Sequence, residues 1–410
     1  MPEEIKTLLI DDRESDADYV RSFLKKLSLD YTFHVVWETD PTRALLRLTQ
    51  ESFDLVLLDY QMPSMNGLDV LSRIREAHRS LPVIMLTGMG DERIAVDAMK
   101  RGAHDYLKKD QMNVADLARA VITVLERRRL ENELEEQRSV ADRDLRMARE
   151  LQQAFLPQSF PHFAPQQRPD AMGLRFYHHY NPTLAVGGDF FDVVPIDDNS
   201  AGVFVSDVAG HGIQAALVTA ALRTLIEELK DVAGDPECFL TEVNSGLSRI
   251  LRQTTSPLYA SAFYLKIDLA EKQVSFCSAG HPPQLHLRRK REDVERLFDK
   301  SKTGPMLGLE EDAVFPPHTT SLDDDDAFVL FTDGILEVPN PEGEPFGIVR
   351  LEAAAKQLIR ESPRRIVEHI VEAATHHAGT TVFPDDVCLV TVEASTLLVR
   401  ALREPPSHPD

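Results

Sequence analysis

The stretch AFVLFTDGILE, residues 327–337, sets an unbroken apolar run directly against a carboxylate. A short run without polar alternation is the pattern of a strand buried on both faces. Asp333 at its end is costly to desolvate unless something of opposite charge meets it. Gly334, the next residue, lets the chain turn sharply there. Three other places repeat this arrangement: VGGDFFD carries Asp189 and Asp192, VSDVAGHG carries Asp207, and FPDDVCLV carries Asp385 and Asp386. Aspartates so alike in setting and so far apart in sequence are expected to gather around hard divalent cations, which take several oxygen ligands. Two such ions sharing a carboxylate can activate a bridging water and neutralise a phosphoryl group. No His or Cys ligand set accompanies them, which disfavours zinc and favours Mn²⁺ or Mg²⁺.

Around these carboxylates, runs such as GLRFYHHYNP, AGVFVSDV, YASAFYLKID, QVSFCSAG, PQLHLRR and DVCLVTVEA read as strands. Helical periodicity appears near 212–232, 235–253, 348–358 and 363–378. Runs of strands with segregated helices predict an α+β domain built on antiparallel sheets. Residues 5–125 differ: TLLI, FHVVW, LVLLD, PVIMLT and HDYLK alternate with amphipathic stretches such as DADYVRSFLKKL. That alternation predicts a doubly wound α/β domain on a five-stranded parallel sheet. Between the two, residues 113–156 contain neither Gly nor Pro, and Leu117, Val121, Leu130, Leu134, Leu151 and Phe155 recur at helical spacing. This is one long helix or two abutting ones. Gln137 and Asp144 fall on the best seam, so a short coiled coil and a solvated connector both remain open. The expected divisions are a first domain at 1–125, a helical linker at 126–156, a second domain at 157–396 and a C-terminal tail at 397–410.

The 410 residues suffice for two or three domains, and 43% hydrophobic with 27% charged residues marks a globular chain. With 67 acidic against 45 basic residues the formal charge is −22, which opposes nucleic acid and anionic membrane as partners. Cys238, Cys277 and Cys388 show no paired or metal-ligand spacing, the pattern of reduced thiols. The absence of a membrane-length apolar run and of a basic-then-apolar leader leads us to expect a cytoplasmic protein.

A second acidic group lies in the N-terminal part. LLIDD ends one strand-like run with Asp11 and Asp12, and LVLLDYQMP ends another with Asp59. In an open parallel sheet ligands sit beyond the carboxyl ends of the strands, so three carboxylates can converge there. They would repel one another unless a cation relieves them. Asp59 is then placed to act as a nucleophile toward a phosphoryl donor, with Thr87 and Lys108 or Lys109 available for the phosphoryl oxygens.

In LLIDD, LLDYQMPSMNGLDVL, PVIMLTG and GAHDYLKK, in order and spacing, residues 5–125 resemble the receiver domain of two-component response regulators. The resemblance implies Asp59 as phosphoacceptor and Asp11, Asp12, Asp59 and the Gln61 carbonyl around Mg²⁺. It implies Thr87 and Lys109 as contacts to the phosphoryl group, Tyr106 as a switch aromatic, and a sensor histidine kinase or phosphotransfer protein as partner. Asp110 stands where the family usually has Pro.

Residues 148–393 resemble the PPM-type serine/threonine phosphatases, in the branch of sporulation and stress-response regulators. The matching motifs are ARELQQAFLP, VGGDFFDV, VSDVAGHGIQAAL, SAGHPPQL, GPMLGL, FTDGILE, PFGIVRL and DDVCLVTV. The resemblance implies a four-layer αββα sandwich with two Mn²⁺ or Mg²⁺ between the sheets. Asp207 would bridge the metals with the Val208 carbonyl beside it, Asp189 would belong to the second metal, and Asp333 and Asp385 to the first or shared shell. For Asp192 and Asp386 a turn or solvent-facing role is an equal alternative. Cys388 replaces the family's usual Thr. His211 and His281 are read as turn-stabilising rather than catalytic.

The combined expectation is a response regulator whose receiver controls a phosphoprotein phosphatase, with a phosphorylated anti-sigma-factor antagonist as substrate and a possible homodimer through the linker helix. The alternative, of a different class, is a phosphatase-shaped protein that sequesters a signalling partner with little turnover.

Overall fold

A computed structural model describes residues 3–27, 31–88, 92–157, 159–161, 163, 172–183, 186–210, 212–252 and 258–396. His211 and the tail at 397–410 lie outside the described residues. The chain divides into two compact units, Met1–Ala141 and Asp142–Asp410.

The first unit alternates strands β1 (Glu3–Ile10), β2 (Tyr31–Glu38), β3 (Leu55–Asp59), β4 (Val83–Thr87) and β5 (Asp105–Lys108) with helices α1 (Glu14–Lys26), α2 (Pro41–Gln50), α3 (Gly67–Ala77) and α4 (Glu92–Lys100). The strands pair in parallel in the order β2-β1-β3-β4-β5. Leu55, Leu57, Ile84 and Leu86 pack on one face with α1, and Val56, Leu58, Val83 and Met85 on the other with α2 and α3. Burial on both faces is why β3 and β4 read as continuous apolar runs. The α5 helix (Val114–Phe155) follows as one unbroken element of 42 residues, about 63 Å at the usual rise per residue. The Asn113 side chain accepts from the Ala115 and Asp116 amides and so caps it, and Pro157 comes just after its end. Leu117, Ala120, Val121 and Val124 of its first turns are buried in the core of the first unit.

The second unit holds β6 (Gly173–Asn181), β7 (Asp189–Asp197), β8 (Ser200–Val208), α6 (Ile213–Glu228), α7 (Pro236–Leu251), β9 (Ala260–Asp268), β10 (Gln273–Ala279), β11 (Leu285–Arg288), β12 (Asp293–Arg296), β13 (His318–Ser321), β14 (Ala327–Phe331), α8 (Gly347–Gln357), α9 (Pro363–Ala378) and β15 (Val387–Ser395). Two five-stranded antiparallel sheets form, β13-β10-β9-β8-β7 and β12-β11-β14-β15-β6. β14 explains the layering. Its Phe328 and Leu330 join the core that includes Phe191, Val203 and Val205 of the other sheet, while Ala327, Val329 and Phe331 pack with Leu351, Ile366 and Ile370 of α8 and α9. The first sheet in turn carries α6 and α7 through Leu222, Phe239 and Leu247. The result is the expected αββα sandwich. Among the described residues no helix is long and apolar enough to cross a membrane.

Candidate functional site

In the first unit, β1 and β3 are neighbours, so the loop after β1 carries Asp11 and Asp12 beside Asp59 at the end of β3. One carboxylate oxygen from each of the three lies within 4.8 Å of the others. Asp11 and Asp59 are buried, and Asp12 Oδ1 is a buried oxygen with no hydrogen-bond partner. Hard oxygens at this spacing, one of them unpartnered, fit a divalent cation such as Mg²⁺. The Lys109 ammonium lies 2.7 Å from Asp11 Oδ2, 2.8 Å from Asp59 Oδ1 and 3.0 Å from Asp16 Oδ2. Asp16, on α1, carried no signal in the sequence; it meets Lys109 from 93 residues away. Burial pushes the Asp59 carboxyl up to about 6, opposed by Lys109 and reinforced by Asp11 and Asp12. Burial works against the charge on Lys109 as well, and its bonds to Asp11 and Asp59 outweigh that and raise its pKa. Thr87 is buried at the end of β4, and its carbonyl accepts from the Lys109 amide at 2.8 Å. Gln61 is exposed two residues beyond Asp59. Tyr106 on β5 is also exposed.

In the second unit the β7–β8 register sets Asp189 directly opposite Asp207. Two carboxylates so paired across a ladder repel each other. Asp333 follows β14 after Thr332, and Asp385 and Asp386 immediately precede the neighbouring strand β15. Asp189 is buried, Asp207 and Asp333 are half-buried, and Asp385 is exposed at the rim. Burial is the main cause that raises the Asp207 carboxyl to about 7, with Asp333, Asp385, Asp386 and Glu337 adding to it. Asp189 is raised well above the usual range by burial and then by Asp207. Asp333 is raised by burial, then by Glu337 and Asp385.

The fit to divalent ions rests on the face of Gly188. A Cβ there would lie 2.7 Å from the Val208 carbonyl oxygen, 3.3 Å from that of Gly210 and 3.4 Å from Asp207 Oδ1. Three oxygens converge on space that any other side chain would fill. Among the described residues no three of the C-terminal carboxylates come within 4.8 Å of one another, unlike the N-terminal trio.

The remaining candidates divide. Asp386 is neither solvent-facing nor a simple turn residue: it is buried, its Oδ1 accepts from the Thr183 amide and its Oδ2 from the Gly188 amide, both at 2.7 Å. Its backbone oxygen would stand 1.8 Å from a Cβ on Gly334, which is why glycine follows Asp333. Asp192 is also buried, turned away to Arg223 of α6 at 2.8 Å. His281 is fully buried, with Nδ1 2.6 Å from the Ser261 hydroxyl and Nε2 3.1 Å from the Phe331 carbonyl, so it ties a turn to β14. Thr332 was missed; it lies inside the quoted FTDG run, but only its contacts reveal a role. Its hydroxyl donates to Asp189 Oδ2 at 2.6 Å and accepts from the Cys388 amide at 3.1 Å.

Comparison with known proteins follows this division of the chain. Residues 7–122 match the model for the response regulator receiver domain, and residues 197–395 the model for stage II sporulation protein E. The chain is 36% identical over 106 residues to the chemotaxis protein CheY of Listeria monocytogenes, covering 26% of this chain and 86% of that protein. It is 27% identical over 253 residues to phosphoserine phosphatase RsbP of Bacillus subtilis, covering 61% of this chain and 58% of RsbP. The chain spans about half the length of the curated relatives it matches over its C-terminal part. The solved SiaA-PP2C domain of Pseudomonas aeruginosa shares the fold at a TM-score of 0.51 and 22% identity, over 63% of this chain and 97% of that one. The chain therefore belongs to the response regulator receiver family through residues 7–122 and carries a domain of the stage II sporulation protein E family at residues 197–395.

Proposed function

We propose that the chain is a response regulator in which phosphorylation of Asp59 controls hydrolysis of phosphoserine or phosphothreonine in a protein substrate. The observation that carries the reading is the pair Asp189 and Asp207, held opposite each other beside the oxygen-lined face of Gly188. Such repulsion is tolerated where cations are to be bound. Asp207 would hold both ions, with the Val208 carbonyl, Asp189, Asp333 and Asp385 completing their protein ligands. Bound Mn²⁺ or Mg²⁺ would supply a water of lowered pKa and offset the charge of the phosphoryl oxygens. The chain's own part is placement: Asp386 fixes the Gly188 amide, Thr332 fixes Asp189, and Asp385 is exposed to solvent.

In the receiver, an Asp59 oxygen attacks the donor's phosphorus; the new O–P bond forms as the bond to the donor breaks. Lys109 and Thr87 would contact the transferred oxygens, and Asp11, Asp12, Asp59 and the Gln61 carbonyl would hold Mg²⁺. The donor class is a sensor histidine kinase or a phosphotransfer protein. Tyr106 would report the change at the surface. Residues 126–156 act as linker, through which two copies would pair, between domains at 1–125 and 157–396. The substrate class is a phosphorylated anti-sigma-factor antagonist, a cytoplasmic signalling protein. RsbP, named as a phosphoserine phosphatase, supports the reaction class.

The test is release of phosphate from a phosphoserine protein with Mn²⁺, run with and without acetyl phosphate. The wild type should turn over, Asp207→Ala and Asp333→Ala should lose at least about 100-fold, and Asp59→Asn should lose the response to acetyl phosphate. Equal rates in wild type and both aspartate variants would refute the hydrolytic reading.

A further inference from the structure

Helix α5 is exposed at nearly every position from 129 to 151, and then Gln152 is buried, at 6% exposure. A long polar side chain has no reason to be enclosed there unless both ends of its amide are satisfied. They are. Gln152 Nε2 donates to the Gly187 carbonyl at 2.7 Å, and the Gly187 amide donates to Gln152 Oε1 at 3.0 Å. The side chain thus pairs with both polar groups of one buried glycine, as a neighbouring strand would. Nε2 also lies 3.3 Å from Thr219 Oγ1 on α6. Leu156, one turn further on, is buried in the core of the second unit and pins the helix end.

Gly187 is itself a tight fit, since a Cβ on it would stand 2.2 Å from Asp386 Oδ2. The next residue, Gly188, presents the oxygen-lined face, and the one after is Asp189. Loss of the amide pair would orphan two buried backbone groups at the base of that loop. We propose that Gln152 is a positioning residue: the register of α5 at this turn sets the loop that carries Gly188 and Asp189, and so the affinity of the second unit for divalent ions. The inference rests on the functional reading above and names a means of regulating that site. An α5 displaced by a single residue places a neighbouring side chain, about 100° around the helix, where Gln152 stands.

The test uses the full chain and Mn²⁺ alone, with binding measured by calorimetry. Gln152→Met keeps the length and loses both bonds; Gln152→Glu keeps the acceptor for the Gly187 amide and loses the donor. Gln152→Met should weaken Mn²⁺ binding by about 10-fold or more, with Gln152→Glu in between, and excess Mn²⁺ should restore turnover. Glu150→Ala, on the exposed face, should bind as the wild type does. Hydrogen exchange of the wild-type Gly187 amide should be slow, as in the sheet. Rapid exchange there, or unchanged Mn²⁺ affinity in Gln152→Met, overturns the proposal while leaving the phosphatase reading intact. A wild type that neither binds Mn²⁺ in its second unit nor hydrolyses phosphoprotein overturns that reading instead.

Discussion

The hydroxyl of Thr332 lies 2.6 Å from Asp189 Oδ2, a contact that joins the end of β14 to the start of β7 across 143 residues. A charge-assisted bond of this length fixes the direction in which Asp189 offers its other oxygen. Thr332→Val should therefore weaken Mn²⁺ binding by about 10-fold, and Thr332→Ser should retain it. Isothermal titration of both variants checks this; equal affinities would show that the hydroxyl serves packing alone.

Lys109 satisfies three carboxylates at once. Its removal leaves Asp11 and Asp59 buried without a cationic partner, which costs about 3–5 kcal/mol where a buried pair is broken. Lys109→Ala should lower the unfolding midpoint of the receiver in EDTA, and millimolar Mg²⁺ should recover much of the loss. Calorimetry of the full chain in both buffers decides it, and a midpoint in EDTA equal to wild type would contradict the account.

Asp207 gives a pH dependence with a definite sign. Its folded pKa, raised to about 7 by burial and neighbouring carboxylates, exceeds the unfolded value near 4. The folded chain therefore holds a proton that the unfolded chain has released, and the stability this confers is lost as pH rises between those values. In EDTA, Asp207→Asn should gain stability relative to wild type between pH 5 and pH 8, while Mn²⁺ should stabilise the second unit of the wild type more than that of the variant. Urea denaturation at the two pH values measures the difference, and a gap that does not change with pH would oppose it.

His281 behaves in the opposite sense. Burial lowers its pKa to about 4, although the Phe331 carbonyl raises it somewhat. The unfolded chain takes up a proton below about pH 6.5 while the folded one does not, so stability from this group is present above that pH and is lost toward pH 4. The bond to Phe331 requires Nε2–H, leaving Nδ1 to accept from Ser261. Nitrogen NMR should show that neutral tautomer at pH 5.5; an imidazolium there would be incompatible with this environment.

Much of the architecture was legible along the chain because strands and helices leave a local period. LVLLD and VIMLT fall within the predicted parallel sheet, and the helices near 235–253 and 363–378 lie within a few residues of their observed limits. Residues 113–156, left open between one helix and two, form one helix because Asn113 caps the start and no Gly or Pro interrupts it before Pro157. The roles of Asp16, Gln152, Thr332 and Asp386 were not legible. Each acts through a partner between 35 and 203 residues away, and no period encodes such a pairing.

The amino-acid order by itself determined where the carboxylates sit: at the ends of apolar runs, beside glycines, at places where a strand must stop. Hydrophobic patterning and turn chemistry act over a few residues, and those suffice for that much. Only the tertiary structure decided which carboxylates face one another and which turn away, as Asp207 does toward Asp189 and Asp192 does toward Arg223. Sheet register made that choice, since a shift of one residue along β7 would exchange the two faces.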